Sequence, residues 1–374
     1  VKVSATRLAD SARVPRALHP LAWWVWAIAL AFAVHRTTNP LLLVLVLAVL
    51  GFVVARRRTD APWARAFRYY LVLAGVVIVL RVLFRIVFGT GVGPEDDVLV
   101  RLPTVPLPDW WSGVTLGGPV SAQTLLDSTV DGLRLGTLLC CIGAANALAN
   151  PRRALRLLPG ALYELGVAVV VAITVAPQLV ESVQRVVRAR RLRAGHLGGL
   201  RSLRSIVVPV LEDAFERSLR LAAAMDSRGY GRAGAARGRR LPGALLVAGL
   251  VGLCVGVYGL LDDTGPLGFP GVAVGAALCC AGLAVGGRRV RRTRYRPDPW
   301  LLPEWLVAGS GVLSTVLLYA VASAHAADLD PSWQPLAFPT LPLVPALAIL
   351  LGATPAVTAP PVERSAPTPR LVLA

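Results

Sequence analysis

Lysine is almost missing from this 374-residue chain: Lys2 is the sole one. A phosphate-binding P-loop places its lysine directly after a glycine-rich turn. The chain therefore carries no Walker-type nucleotide site, and any ATP hydrolysis must come from another subunit. Charge is also scarce, at 16% of residues against 55% hydrophobic, with a positive mean hydropathy. Those values exclude an ordinary soluble domain and describe a polytopic membrane protein. Acid is scarcer still: 21 Asp and Glu face 39 Lys and Arg, a net charge of +18. In a soluble protein that excess would suggest nucleic acid. Here the arginines cluster between apolar runs, as cytoplasmic loops do under the positive-inside rule, so no nucleic-acid partner is implied. The five cysteines, Cys140, Cys141, Cys254, Cys279 and Cys280, lie in apolar runs without C-x-x-C spacing. They read as small buried hydrophobes, and nothing calls for a metal or other cofactor.

The apolar runs set the organisation. Residues 1–20 are a basic cytoplasmic segment. Leu21–Val34 is a first span with Trp23, Trp24 and Trp26 as interfacial anchors. Ala31-Phe32-Ala33 resembles a signal-peptidase site, but Leu41–Val54 follows at once as a second span. Arg56, Arg57, Arg58, Arg65 and Arg68 mark a cytoplasmic loop, and Tyr69–Phe88 is a third span. Arg81 and Arg85 lie inside it, placed to snorkel or to pair with acids near its outer end. Residues 90–120, with Glu95, Asp96, Asp97, Asp109 and Trp110-Trp111, read as an external loop. The fourth span, Asp131–Leu148, closes the first membrane block, 21–150. After residue 240, Leu241–Leu261, Leu267–Val285, Glu304–Ala324 and a proline-broken run at Leu341–Leu351 make a second block, 241–354. Residues 355–374, rich in alanine, proline and threonine, read as a disordered tail.

Between the blocks, 151–240 is the region around which the chain is arranged. Ala161–Val180 is apolar enough to cross. Yet Arg152, Arg153 and Arg156 precede it, and arginine-rich sequence follows it. Crossing would put one basic block outside, so 161–180 is expected to be a surface or re-entrant helix, bent at Pro177 and Gln178. Two basic helices follow, set apart by Gly195, Gly198, Gly199 and Pro209. In the second, Leu211, Phe215, Ser218, Ala222 and Met225 form a stripe at spacings of three and four. Such a stripe is read as core packing or as a partner surface. Glu216 precedes Arg220 by four residues, the favourable order for a pair. Both helices end alike, in Leu192-Arg193-Ala194-Gly195 and Ser227-Arg228-Gly229-Tyr230-Gly231. Glycine takes φ > 0 without a Cβ penalty and stops a helix, and an arginine in the last turn suits the helix dipole. Each arginine is expected to project from a blunt helix end toward a partner. The fold class read from the residues is all-α: a polytopic helical membrane protein with a cytoplasmic hairpin.

The chain resembles the transmembrane T component of energy-coupling-factor (ECF) transporters over about residues 15–260. The residues that carry the resemblance are Leu18-His19-Pro20, Asn39-Pro40, Asp131-Gly132-Leu133, Pro177 to Arg193, and above all Ala224 to Gly231. The resemblance implies a non-catalytic subunit of the plasma membrane with its N-terminus in the cytoplasm. Its partners would be two ABC-type ATPase subunits, a membrane S component that captures a vitamin or a cobalt or nickel ion, and the lipid bilayer. Residues 151–240 would hold the coupling helices. Their second ATPase-docking signature falls on Ser227, Arg228 and Gly229. The first falls on Arg193 and Ala194, with Ala189, Arg190 and Arg191 as the alternative. The S component would contact 161–180. The segment after Asp262 exceeds the usual length of the family. The residues leave two other classes open. An integral membrane transferase acting on a lipid-linked substrate needs a polar acidic pocket, but Asp96-Asp97 and Asp262-Asp263 both fall at external turns. A secondary transporter needs midplane charges and an internal repeat, and no repeat is evident.

Overall fold

The structure is a computed structural model that describes residues 17–59, 66–88, 97–103, 105–106, 115–155, 157, 162–194, 200–230, 240–261, 268–288, 298–324, 326–331 and 338–361. It divides into two units. The first combines residues 1–154 with 296–374, and the second is the intervening 155–295.

The first unit begins with α1 (Pro20–His35) and α2 (Pro40–Arg57). Both start with proline in the first turn, where its missing N–H costs nothing. Asn39 caps α2: its Oδ1 accepts from the Leu41 N–H at 3.0 Å. Next come α3 (Phe67–Val87) and α4 (Ala122–Leu148). The α4 helix starts nine residues earlier than expected, because Ser121 caps it by accepting from the Thr124 N–H. It touches α1, α2 and α3, which accounts for its polar residues: it is the inner helix of the unit. Against α3 it comes very close, since a Cβ on Gly143 would lie 2.5 Å from the Tyr70 ring.

Between α3 and α4 the stretch read as an external loop is not plain loop. Strand β1 (Val98–Arg101) pairs antiparallel with β4 (Pro119–Ser121), and β2 (Val105–Pro106) with β3 (Thr115–Leu116). The fold is thus mostly helical rather than all-α. The short α5 (Pro151–Leu155) then leads out of the unit.

The chain returns to the first unit through α10 (Leu302–Val321), α11 (Ala326–Leu329), α12 (Leu343–Leu350), a 3-10 turn at Leu351–Ala353, and α13 (Pro355–Thr358). The α10 helix packs on α1 and α12, and α12 packs on α2. Trp26, Leu30, Leu42, Leu43, Leu50, Leu318, Leu329 and Ile349 are the largest apolar side chains fully removed from solvent. Polar ties fasten the returning segment. Trp26 Nε1 donates to the Gly352 carbonyl at 2.9 Å. Asn39 Nδ2 donates to the carbonyls of Asp328 and Thr340 at 2.8 and 3.0 Å. Arg57 donates to the carbonyls of Ala356, Val357 and Pro360. Residues 355–361, where the tail was expected to begin, therefore contain a helical turn held by Arg57, while 362–374 lie outside the described residues.

The second unit contains α6 (Tyr163–Ala194), α7 (Leu200–Ser227), α8 (Arg240–Leu261) and α9 (Gly268–Arg288). The α8 and α9 helices meet backbone to backbone: a Cβ on Gly256 would lie 2.2 Å from the Val272 nitrogen. Small residues at such a seam let two apolar helices associate through close packing. Among the described residues six helices are long and apolar enough to cross a membrane. They lie at Pro40–Arg57, Phe67–Val87, Leu165–Ala189, Leu241–Leu261, Gly268–Gly287 and Leu302–Val321. At 16 residues α1 falls short of that length.

Candidate functional site

The helix α6 is one continuous element of 32 residues, roughly 48 Å long at 1.5 Å per residue. It runs through Pro177, so 161–180 is not a separate helix but the first part of the one that carries the first arginine signature. Leu165–Ala189 within it has the length and hydropathy of a span. The α7 helix likewise runs through Pro209, which does not separate the two helices.

The two helices are fastened at one polar point. Ser182 of α6, only 3% exposed, donates its hydroxyl to the Asp213 carboxylate of α7. Arg217, one turn on, donates to the same carboxylate through Nε at 3.1 Å and a terminal nitrogen at 2.9 Å. The Ser182 hydrogen bond and the Arg217 guanidinium hold the Asp213 carboxyl below its ordinary range, against the opposing effect of burial. Sequence reasoning missed this clamp, although Asp213 and Arg217 stand at the helical spacing of a salt bridge. The expected Glu216–Arg220 pair is present.

Ile206, Val210, Asp213, Ala214 and Arg217 form the half-buried face of α7. The expected stripe points elsewhere. Leu211 is 49% and Phe215 67% exposed, and Ser218 and Ala222 are also exposed, with Met225 half-buried. Among the described residues the stripe is therefore largely uncovered.

The end of α7 is built by local chemistry. The Tyr230 N–H donates to the Met225 carbonyl at 3.0 Å and the Gly229 N–H to the Asp226 carbonyl at 2.8 Å. These two bonds make a Schellman cap, with Gly229 in the left-handed region at φ +74°. Ser227 turns its hydroxyl onto the Ala224 carbonyl at 2.9 Å. Arg228 is exposed beside them. At the other end, the backbone of Ala189, Arg190, Arg191, Arg193 and Ala194 is helical, with Ala189 exposed and α6 described as far as Ala194. The glycine stop expected at Gly195 lies outside the described residues, as does Arg237. Arg201, expected in a loop, lies in the first turn of α7. The Asp213 clamp thus ties α6 and α7 together well before either end. Among the described residues no group of three or more His, Cys, Asp and Glu side chains converges as a metal site would require.

A second polar cluster lies in the first unit. Glu304, fully buried, accepts from the His19 and Leu301 backbone N–H groups at 3.3 and 3.0 Å. The His19 ring meets Trp300 edge-on at 5.0 Å. Burial pushes the His19 imidazole below its ordinary value, only partly opposed by Asp298 and Glu304. Arg81, read as an intramembrane charge, pairs with Asp131 of α4 at 3.8 Å.

The comparisons with known proteins fit this architecture. Residues 11–237 match the family described as cobalt transport protein, CbiQ. An energy-coupling factor transporter transmembrane protein, EcfT, from Bacillus selenitireducens is 27% identical over 201 residues, which is 52% of this chain and 71% of that protein. The family match closes just after the Schellman cap and leaves α8 to α13 beyond it. It covers more than half of the 374 residues, so this multi-pass membrane chain belongs to the cobalt transport protein family.

Proposed function

We propose that this chain is the transmembrane coupling component of an ECF-type importer. It passes ATP-driven motion from two cytoplasmic ATPase subunits to a membrane S component. The observation that carries the reading is the end of α7: an exposed Arg228 beside a glycine-capped terminus, on a helix whose apolar stripe is largely uncovered among the described residues. An arginine suits a carboxylate-lined groove, because its planar fork donates several hydrogen bonds in fixed geometry and keeps its charge. Arg193 is the matching anchor at the end of α6, with Arg190 and Arg191 as the alternative. The apolar stripe of α7 and the first part of α6 offer surface to the S component. The family's description makes cobalt the first cargo to test.

The N-terminus and the arginine-rich segments are assigned to the cytoplasm by charge bias. On that bias 161–180 stays on the cytoplasmic side, although its length would also allow a crossing. Cysteines at positions 158 and 190 should label from the same side, and labelling from opposite faces would reject the assignment. The functional reading is tested by affinity purification of the tagged chain in mild detergent from its native membrane. Two ABC-type ATPase subunits should accompany it. A purified chain that hydrolyses ATP by itself, with activity removed by a substitution within it, would overturn the reading.

A further inference from the structure

The helices α6 and α7, both within the second unit, meet with little apolar burial between them. Along residues 181–189 of α6, Ser182 alone is buried, and no described side chain of α7 is fully buried. The α7 face at Ile206, Val210, Asp213, Ala214 and Arg217 is half-buried over about three turns. Apolar contact is non-directional, so a seam this thin does not by itself fix the angle or register of two long helices. The polar contact does. Asp213 Oδ2 accepts from the Ser182 hydroxyl and, at 2.9 Å, from a terminal nitrogen of Arg217. Its Oδ1 accepts from Arg217 Nε at 3.1 Å. The guanidinium fork sets the plane of the carboxylate, and the carboxylate then sets where Ser182 must lie. Arg185, one turn on from Ser182, adds a second attraction from α6 to the same carboxylate.

The two arginine signatures stand on arms that extend from this point. Arg193 follows Ser182 by 11 residues, and Arg228 follows Asp213 by 15. At 1.5 Å per residue the arms are about 16 and 21 Å of helix. A rotation of about 10° at the contact would swing the end of such an arm by roughly 3 Å, more than the whole range of hydrogen-bond lengths. We propose that Ser182, Asp213 and Arg217 are positioning residues for energy coupling: they hold α6 and α7 in one geometry, so that both arginine anchors reach their ATPase grooves at once. This rests on the coupling-component reading above. Two linked sites gain roughly 10²–10⁴ in avidity over one, and the gain is lost when their spacing forbids simultaneous engagement. The clamp stands well before either signature in the chain, so its effect is confined to states in which two anchors must be placed together.

The test titrates the ATPase subunits that co-purify with the tagged chain onto the whole chain in mild detergent. Ser182→Ala and Asp213→Asn should each weaken binding of the ATPase pair about tenfold or more, part of the avidity that linked sites supply. On an Arg228→Glu background, where one anchor alone is left to place, the same two substitutions should cost nothing further. Damage that repeats in full on that background would make the clamp a general support of the fold, and the positioning role would be wrong. Arg217→Lys keeps the charge but loses the fork, so it should bind as weakly as Asp213→Asn. Wild-type binding by Arg217→Lys would reduce the clamp to a charge effect and overturn the geometric account. Arg220→Gln removes the exposed pair with Glu216 at the same helical spacing and should bind as the wild type does. Equal damage from it also overturns the proposal. Should Asp213→Asn fail to fold, Ser182→Ala, which removes a single hydroxyl, is judged by the same outcomes. A wild-type chain that retains no ATPases overturns the coupling-component reading and the docking role with it. A wild-type chain that retains them, while Ser182→Ala and Asp213→Asn bind the pair in full, overturns the clamp's role alone.

Discussion

Gly229 separates two reasons for a glycine at a helix end. Its φ of +74° is a conformation that L side chains rarely adopt, yet a Cβ built there would meet nothing within 4 Å. Substitution should therefore cost only backbone strain, with no clash. For an ordinary L residue the left-handed region costs about 1–2 kcal/mol. Loss of unfolded-state freedom when glycine becomes alanine offsets roughly 0.4–1 kcal/mol of that. The cap can also relieve strain by rearranging, which would undo the Tyr230–Met225 bond and re-aim Arg228. If ATPase docking needs the intact cap, Gly229→Ala should weaken ATPase association by up to about tenfold, a factor equivalent to about 1.4 kcal/mol. Gly229→Asn should stay near the wild type, because asparagine tolerates the left-handed region. Titration of the ATPases onto the detergent-solubilised chain reads both values. Equal, full binding by both variants would show that the cap conformation is irrelevant. Equal, strong loss in both would show that a partner packs against the bare glycine, and the strain account would be wrong.

Arg193→Glu or Arg228→Glu alone should weaken ATPase retention, and both together should release the ATPases with the membrane bundle still folded. Arg201→Glu and Arg237→Glu are the charge controls, and equal damage from them would reduce the anchors to a diffuse positive surface. Trp26→Phe leaves the Gly352 carbonyl without its donor and should lower thermal stability by roughly 0.5–2 kcal/mol, the range for buried hydrogen bonds in membrane proteins. His19 is held below its ordinary value of 6.5, so as pH falls through 6.5 the unfolded chain binds a proton before the folded one does. Stability should be full above that value and decline below it until the folded imidazole also titrates. Thermal unfolding across this window should flatten in His19→Gln.

What was legible in the sequence is what short segments decide for themselves. The Schellman cap at Ser227–Tyr230 needs only its own backbone and a glycine, so Arg-Gly at the end of a periodic run announced it. Asn39-Pro40 as a helix start and Glu216–Arg220 as a pair are local in the same sense. The polar first turns of α4 hid its start, because hydropathy ignores the Ser121 cap. Pro209 misled as a breakpoint, while Pro177, read as a bend, lies inside a continuous helix. A proline removes one backbone bond, and long helices such as α6 and α7 can absorb that loss. The α7 stripe was readable as a stripe, but periodicity cannot say whether the same chain covers it. Arg153–Asp298, Trp26–Gly352 and Arg57–Ala356 join residues 145 or more positions apart, and no local pattern encodes such partners.

The segment beyond the second unit, which the family match does not reach, is structurally the least separable part of the chain. Trp26, Asn39 and Arg57 belong to α1 and α2, yet their donors are satisfied by carbonyls between residues 328 and 360. A polar donor held in apolar surroundings is costly unless paired. The first two helices are thus completed by residues from the far end of the sequence. Glu304 extends the same dependence to the start of α1, where it receives the His19 N–H. A regulatory appendage would meet its body through an exposed face that could separate. Here Leu318, Leu329 and Ile349 stand in one core with Trp26, Leu42 and Leu50, with no apolar boundary along which they could part. The returning segment is therefore part of the frame of the first unit.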